Sequence, residues 1–243
     1  MKWIKEILGR VFALWAAIVF SVSMLFIVLP LWILGLVKEP QRTKYMFFFY
    51  RAWMTVFFVL TGVRRKIVGR KYFQKGKTYV VVSNHRSLLD PPLSSPAIPT
   101  ANKTIAKIEM AKIPIFNVIY RGGSVLVDRK NEESRRRSYN QMKEVLRLGL
   151  HMCIYPEGTR NKTNQPLQKF HDGAFKLATE TGKSIIPSLI FNTEKVLPRK
   201  TFFFWPAKVE MHFLPPIASV NKTVKDLKQE VYDVMFAYYT NHQ

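Results

Sequence analysis

Cysteine is nearly absent from this 243-residue chain, with Cys153 its single representative. One thiol excludes an intramolecular disulfide and any cysteine-rich metal site. Acidic residues are scarce too: 16 Asp and Glu face 38 Lys and Arg, for a formal charge of +22. Such an excess repels itself and calls for an anionic partner, whether nucleic acid, an anionic membrane surface or a phosphorylated substrate. No Gly-x-Ser-x-Gly elbow is present, which argues against a serine hydrolase. His151, His171, His212 and His242 lack ligand spacing, so no metal centre is expected. Thr181-Gly182-Lys183-Ser184 ends like a phosphate-binding loop, but Leu177 stands where that loop needs its first glycine. A helix rather than a strand leads into it, so it reads as a helix cap. Internal repeats, low-complexity segments and long linkers are lacking as well.

Apolar residues are plentiful at 48%, and aromatics reach 14%, ample for a packed core. Residues 11–37 carry no charge. A run of this length can cross a hydrocarbon layer, which takes roughly 20 helical residues. It is too long for a signal peptide, and no Ala-x-Ala-like site follows it. Basic residues stand on both sides of it: Lys2, Lys5 and Arg10 before, Lys38, Arg42, Lys44 and the group from Arg64 to Lys71 after. Because basic residues prefer the cytoplasmic side, one crossing would put one group on the wrong face. Pro30 offers a helix break, and residues 45–60 form a second apolar stretch interrupted only by Arg51. The expectation is two helices, within residues 1–62, that enter one leaflet and return.

From residue 63 to 243 the pattern is that of an α/β domain. Short β-branched or apolar runs at 78–83, 124–127, 151–155, 184–190 and 208–214 read as strands. Helical spacing marks 135–150, 170–181 and 224–239. Alternation of this kind predicts a mostly parallel sheet covered by helices on both faces.

Three polar clusters follow predicted strands, where open α/β sheets bind their ligands. In the first, Asn84 to Asp90, a histidine at the end of a buried strand can act as a base if Asp90 orients its ring. The same spacing suits a structural loop histidine. In the second, the strand ending at Val127 delivers Asp128 and Arg129. Arg129 could hold a phosphate bidentately or form a surface ion pair. In the third, Tyr155-Pro156-Glu157-Gly158-Thr159-Arg160, a tight turn gathers polar groups. Arg160 could take a phosphate, and Glu157 could brace Arg160 or another basic group.

Together these clusters resemble the lysophosphatidic acid acyltransferase family (1-acyl-sn-glycerol-3-phosphate acyltransferases). Asn-His-x4-Asp stands at Asn84, His85 and Asp90, Gly-x4-Asp-Arg at Gly123, Asp128 and Arg129, and Pro-Glu-Gly-Thr-Arg at Pro156 to Arg160. A fourth block of apolar residues around a proline is matched at Ile185 to Ile190 around Pro187, and Ala106-Lys107-Ile108-Glu109 before Pro114 fits the region between the first two. The resemblance covers residues 78–215 in order. It implies that His85 is the general base and Asp90 its partner. It implies an acceptor phosphate site from Arg129, Glu157, Gly158, Thr159 and Arg160, with Lys107 a further phosphate candidate. Pro187 would shape the acyl or acceptor pocket. No resident cofactor is implied; acyl-CoA or acyl carrier protein would be the co-substrate. The expected reaction acylates the sn-2 hydroxyl of 1-acylglycerol 3-phosphate to phosphatidic acid, with anionic membrane lipids as partners and the catalytic domain on the cytoplasmic face. Asn161, where many relatives have Ser, and Ser188, where Val is common, leave acceptor choice open, another lysolipid included. Two rival readings are a nucleic-acid-binding protein, disfavoured by the apolar N-terminus and the lack of a known motif, and a non-catalytic protein that binds anionic membranes.

Overall fold

The computed structural model describes every residue except Met1, Lys200 and Gln243. Two long helices open the chain, α1 (Lys2–Leu34) and α2 (Gln41–Leu60). They lie antiparallel, because Trp15 Nε1 donates to the Leu60 carbonyl (2.9 Å) and Trp53 Nε1 donates to Ser23 Oγ (2.9 Å). The expected break at Pro30 does not occur: α1 runs through it and ends four residues later. The ring removes one hydrogen bond near the helix end, where few remain to be made, and the chain reverses only over residues 35–40. The hairpin brings Lys2, Lys5 and Arg10 to the same end as the basic group that starts at Arg64.

Seven strands follow: β1 (Arg64–Val68), β2 (Val80–Ser83), β3 (Asn102–Lys107), β4 (Ser124–Val127), β5 (His151–Ile154), β6 (Ile185–Phe191) and β7 (Lys208–Phe213). They form one sheet in the order β1-β7-β6-β2-β5-β3-β4. All pairings are parallel except β6 with β7, as the strand–helix alternation implied. Between them run α3 (Asp90–Ala97), α4 (Phe116–Gly123), α5 (Glu132–Arg147), α6 (Gly173–Thr181) and α7 (Thr193–Val196), and α8 (Val224–Thr240) follows β7.

Strand residues alternate between two cores, as the period of two requires. Val80, Val82, Met152 and Ile185 face α5, α6 and α8. Val81, Cys153, Ile186 and Ile190 face α3 and, beyond it, Ala13 and Ala16 of α1 and Trp53 and Phe57 of α2. The N-terminal hairpin thus covers one face of the sheet and shares its core. The polar ends of β2, β3, β4, β5 and β6 all lie on one edge, since these five strands run the same way.

Candidate active site

β2 is flanked by β5 and β6 and fully buried. Where it ends, the Asn84 side chain continues the ladder: Nδ2 donates to the Ile190 carbonyl (3.0 Å) and Oδ1 accepts from Ile190 N (2.7 Å). This clamp fixes the backbone before His85. The turn back into α3 then places Asp90 at the helix start, where a negative charge is favoured and Pro91 and Pro92 cost nothing.

His85 Nδ1 lies 2.7 Å from Asp90 Oδ2. That oxygen also accepts from the backbone N–H of Arg86 (2.6 Å) and of Ser87 (2.8 Å). Asp90 Oδ1 accepts from Thr193 Oγ1 at 2.5 Å. A carboxylate ringed by donors can only receive from the imidazole, so Nδ1 carries the proton and Nε2 keeps its lone pair. Asp90 is fully buried, while the His85 side chain is 17% exposed. The ring stacks on Tyr155 (centroids 4.4 Å apart), and Tyr155 shares a hydrogen bond with Ser94 Oγ at 2.6 Å.

The turn after β5 closes on this loop. Gly158 N donates to the Tyr155 carbonyl (3.0 Å). Gly158 has φ +68°, and a Cβ there would stand 2.9 Å from the His171 ring, so only glycine fits. Glu157 is not paired with Arg160. Its Oε1 accepts from His85 N (2.9 Å) and its Oε2 from Gln168 N (3.1 Å), beneath the turn and almost out of solvent. Burial raises this carboxyl from 4.5 to about 7, against the opposite pull of the two N–H donors. Asn161 N donates to the His85 carbonyl (2.6 Å), and its buried side chain ties residues 163, 165 and 168 together. Ser188 is matched to Ser83, 2.5 Å away between neighbouring strands, so a polar residue fits inside the sheet.

The other candidates converge on the same edge with different roles. Arg129, two residues past β4, hydrogen-bonds through Nη1 to the Gly158 carbonyl. Lys107 ends β3 in register with Val127 and is exposed. Arg160 makes no ion pair or hydrogen bond to any described residue, and Thr159 is exposed beside it. Pro187 lies within β6, opposite Val82 and away from the strand end. Cys153 is buried, with its thiol pushed up to about 12, and is no nucleophile. His151 is a core residue: its Nδ1 accepts from Tyr79 N (3.0 Å), and Nε2 pairs with Thr100 Oγ1 (2.7 Å). No cluster that could hold a metal ion exists among the described residues.

Sequence reasoning missed Thr193 and Gln168, and gave Tyr155 no role. Thr193 lies 103 residues from Asp90 and has no motif of its own. Tyr155 was visible beside Pro156, but its stacking partner was not.

A family model described as acyltransferase matches residues 64–190, a little over half of the chain. The 1-acyl-sn-glycerol-3-phosphate acyltransferase of Borreliella burgdorferi is 27% identical over 172 residues, covering 70% of this chain and 68% of that protein. The 1-acyl-sn-glycerol-3-phosphate acyltransferase beta of Homo sapiens is 30% identical over 168 residues, 68% of this chain and 60% of its own. The alignments span between 53% and 68% of the length of the first curated relatives. Among solved structures, the 1-acyl-sn-glycerophosphate (LPA) acyltransferase PlsC from Thermotoga maritima superposes with a TM-score of 0.83 at 22% identity, covering 98% of this chain and 97% of that one.

Proposed function

We propose, from the premise that this chain belongs to the acyltransferase family, that it acylates the sn-2 hydroxyl of 1-acylglycerol 3-phosphate to give phosphatidic acid. The observation that carries this reading is the His85–Asp90 pair: a 2.7 Å contact to a fully buried, fully bonded carboxylate, with no partner for the far ring nitrogen among the described residues. The acceptor follows from the names of the relatives and from the cationic groups beside that ring.

His85 Nε2 removes the proton of the acceptor hydroxyl, and the oxygen attacks the thioester carbonyl carbon. Asp90 stabilises the imidazolium so formed. Collapse of the tetrahedral adduct breaks the carbon–sulfur bond, and the imidazolium protonates the departing thiolate. Atoms balance without a covalent enzyme intermediate. Arg160, without a partner among the described residues, takes the acceptor phosphate; Arg129 and Lys107 complete the cationic rim, and the Thr159 hydroxyl lies beside them. Glu157 and Gly158 shape that rim from beneath. The donor is an acyl thioester of coenzyme A or of acyl carrier protein.

The hairpin would set this edge beside a membrane. Only α1 among the described helices is long and apolar enough to cross a bilayer. Its pairing with α2 favours entry into one leaflet and return, on the cytoplasmic side that basic flanks prefer.

The test uses the full chain in mixed micelles with a panel of lysolipids and both donors. His85→Ala is expected to lower kcat by about 100- to 10,000-fold in a folded protein. Arg160→Ala is expected to raise KM for phosphate-bearing acceptors by about tenfold or more, and to leave acceptors lacking phosphate unchanged. A His85→Ala enzyme with parent activity would exclude the mechanism; equal losses on all acceptors would exclude the Arg160 assignment.

A further inference from the structure

Away from the His85 edge, a cavity of about 240 Å³ opens between α2, β1 and α3. Arg51, Arg65 and Arg70 line it, with Thr55, Leu93 and Ala97 among their neighbours, and none of the described lining residues is acidic. None of these arginines forms an ion pair with a described residue. Their bonds go to neutral atoms instead: Arg65 Nη2 donates to Thr55 Oγ1 (3.3 Å) and Arg70 Nε to the Ala97 carbonyl (2.8 Å). The Arg65 guanidinium lies 5.1 Å from the Phe58 ring.

Three like charges around one cavity repel each other. Burial and the charge of Arg51 push Arg65 below the usual guanidinium range; burial, Arg51 and Arg65 do the same to Arg70. Guanidinium groups stay charged at any working pH, so the repulsion is relieved by an anion rather than by losing a proton. Planar, forked donors suit the oxygens of a phosphate. The nearest carboxylate on the adjoining strand, Glu210, is already taken by Lys66, Lys208 and His212. Beside the cavity, α2 exposes Phe48, Val56, Val59 and Leu60, an apolar stripe suited to acyl chains.

We propose that Arg51, Arg65 and Arg70 form a second phosphate-binding site, separate from the acyl-transfer site, which takes the headgroup of an anionic phospholipid lying along α2. The lipid as source rests on the membrane attachment proposed above; the phosphate site itself does not.

Native mass spectrometry of the full chain released from detergent tests this, with dioctanoyl phosphatidylglycerol, dioctanoyl phosphatidylcholine and inorganic phosphate as probes. Phosphatidylglycerol is chosen because it is not the product of the proposed reaction. It is expected to bind at least about tenfold more tightly than phosphatidylcholine, and Arg51→Gln or Arg65→Gln each to weaken it about tenfold. Lys225→Gln, which removes the same charge elsewhere, should bind like the parent. Turnover of soluble short-chain substrates should stay at the parent level in both arginine variants, which separates this site from the catalytic one. Lipid binding tighter than that of inorganic phosphate supports the headgroup. Equal, arginine-dependent binding of both supports the phosphate site and removes the lipid as its source. Binding unchanged in both arginine variants overturns the proposal. Should those variants not fold, the parent supplies the answer: a Tm that phosphatidylglycerol does not raise above its value in phosphatidylcholine overturns it equally.

Discussion

Asp90 does its work through four donors, and three come from residues within five positions of it: His85, Arg86 and Ser87. The fourth, the Thr193 hydroxyl, comes from the start of α7, just after the neighbouring strand β6, and is fully buried. Thr193→Val keeps the shape and removes the donor, leaving Asp90 Oδ1 without it. The unpaired oxygen costs about 1–3 kcal/mol and makes the carboxylate a better base toward its remaining donors. Thr193→Val is therefore expected to be measurably less stable on urea titration, and to show a kcat–pH profile displaced from that of the parent. Thr193→Ser should restore both. A Val variant with unchanged profile and stability would make the contact incidental.

Glu157 offers a second residue-scale test, because its buried carboxyl holds a proton more tightly when folded (about 7) than when unfolded (4.5). A raised pKa stabilises the fold below the unfolded value, and that contribution is lost as pH rises through the folded one. A shift of this size is worth about 3 kcal/mol. Between pH 4.5 and 7 the parent is expected to lose stability relative to Glu157→Gln, measured by denaturant titration at each pH. The variant gives up one N–H acceptor at every pH, so the readout is the slope and not the offset. His151 opposes it in the parent and in the variant alike: burial lowers its imidazole to about 4, so its contribution is lost as pH falls. Parallel curves for parent and variant would place the Glu157 carboxyl in the ordinary range.

At the scale of elements, the strands that sequence pattern missed are β1 and β3. β1 begins Arg64-Arg65-Lys66 and lies at the sheet edge, largely exposed, where no hydrophobic alternation is required. β3 reads Asn-Lys-Thr-Ile-Ala-Lys and is polar, yet Asn102 and Lys103 are buried in it. Lys103 is tolerated there because its Nζ lies 2.8 Å from Glu39, in the link between α1 and α2. A local window cannot contain a partner 64 residues away. By contrast, α5 was legible but misplaced by three residues at each end. Asn131, which caps it by accepting from Ser134 N, and Gly149 at φ +78° set the true bounds. The motif residues were legible as a set because each follows a strand of the same direction. What they touch was legible only where both partners share one loop, as His85 and Asp90 do.

The Lys103–Glu39 contact also locks the helical hairpin onto the sheet. Burial disfavours the Glu39 carboxylate, but Lys103, Thr43 and Arg42 outweigh it and hold the group down at about 2. Glu39→Ala leaves Lys103 charged and buried without its partner, a change worth about 3–5 kcal/mol. The expected result is a lower Tm together with faster amide exchange along α2. Adding Lys103→Met should recover part of the loss, since the stranded charge is then gone. A Glu39→Ala variant of parent stability would show that the hairpin is held by apolar packing alone.

For the whole molecule, the hairpin has two faces with different solvents. One carries Ala13, Ala16, Trp53 and Phe57 into the sheet core. The other leaves Trp3, Trp32, Phe26 and Leu36 bare, the last two 78% and 81% exposed. An apolar surface of this extent on a folded protein marks an interaction with a membrane or a partner. The net charge of +22 adds attraction to anionic lipid. The two forces respond differently to salt. At 1 M ionic strength charges are screened within about 3 Å, while apolar insertion is not weakened. The full chain is therefore expected to stay bound to anionic vesicles in a flotation assay at 1 M sodium chloride, and to bind neutral phosphatidylcholine vesicles at low salt as well. Quantitative release at high salt would mean that the basic surface alone holds the protein to lipid, and the leaflet insertion of α1 and α2 would have to be given up. Retention on both vesicle types would place the apolar face of the hairpin inside the bilayer, with the His85 edge held where a lipid hydroxyl can reach it.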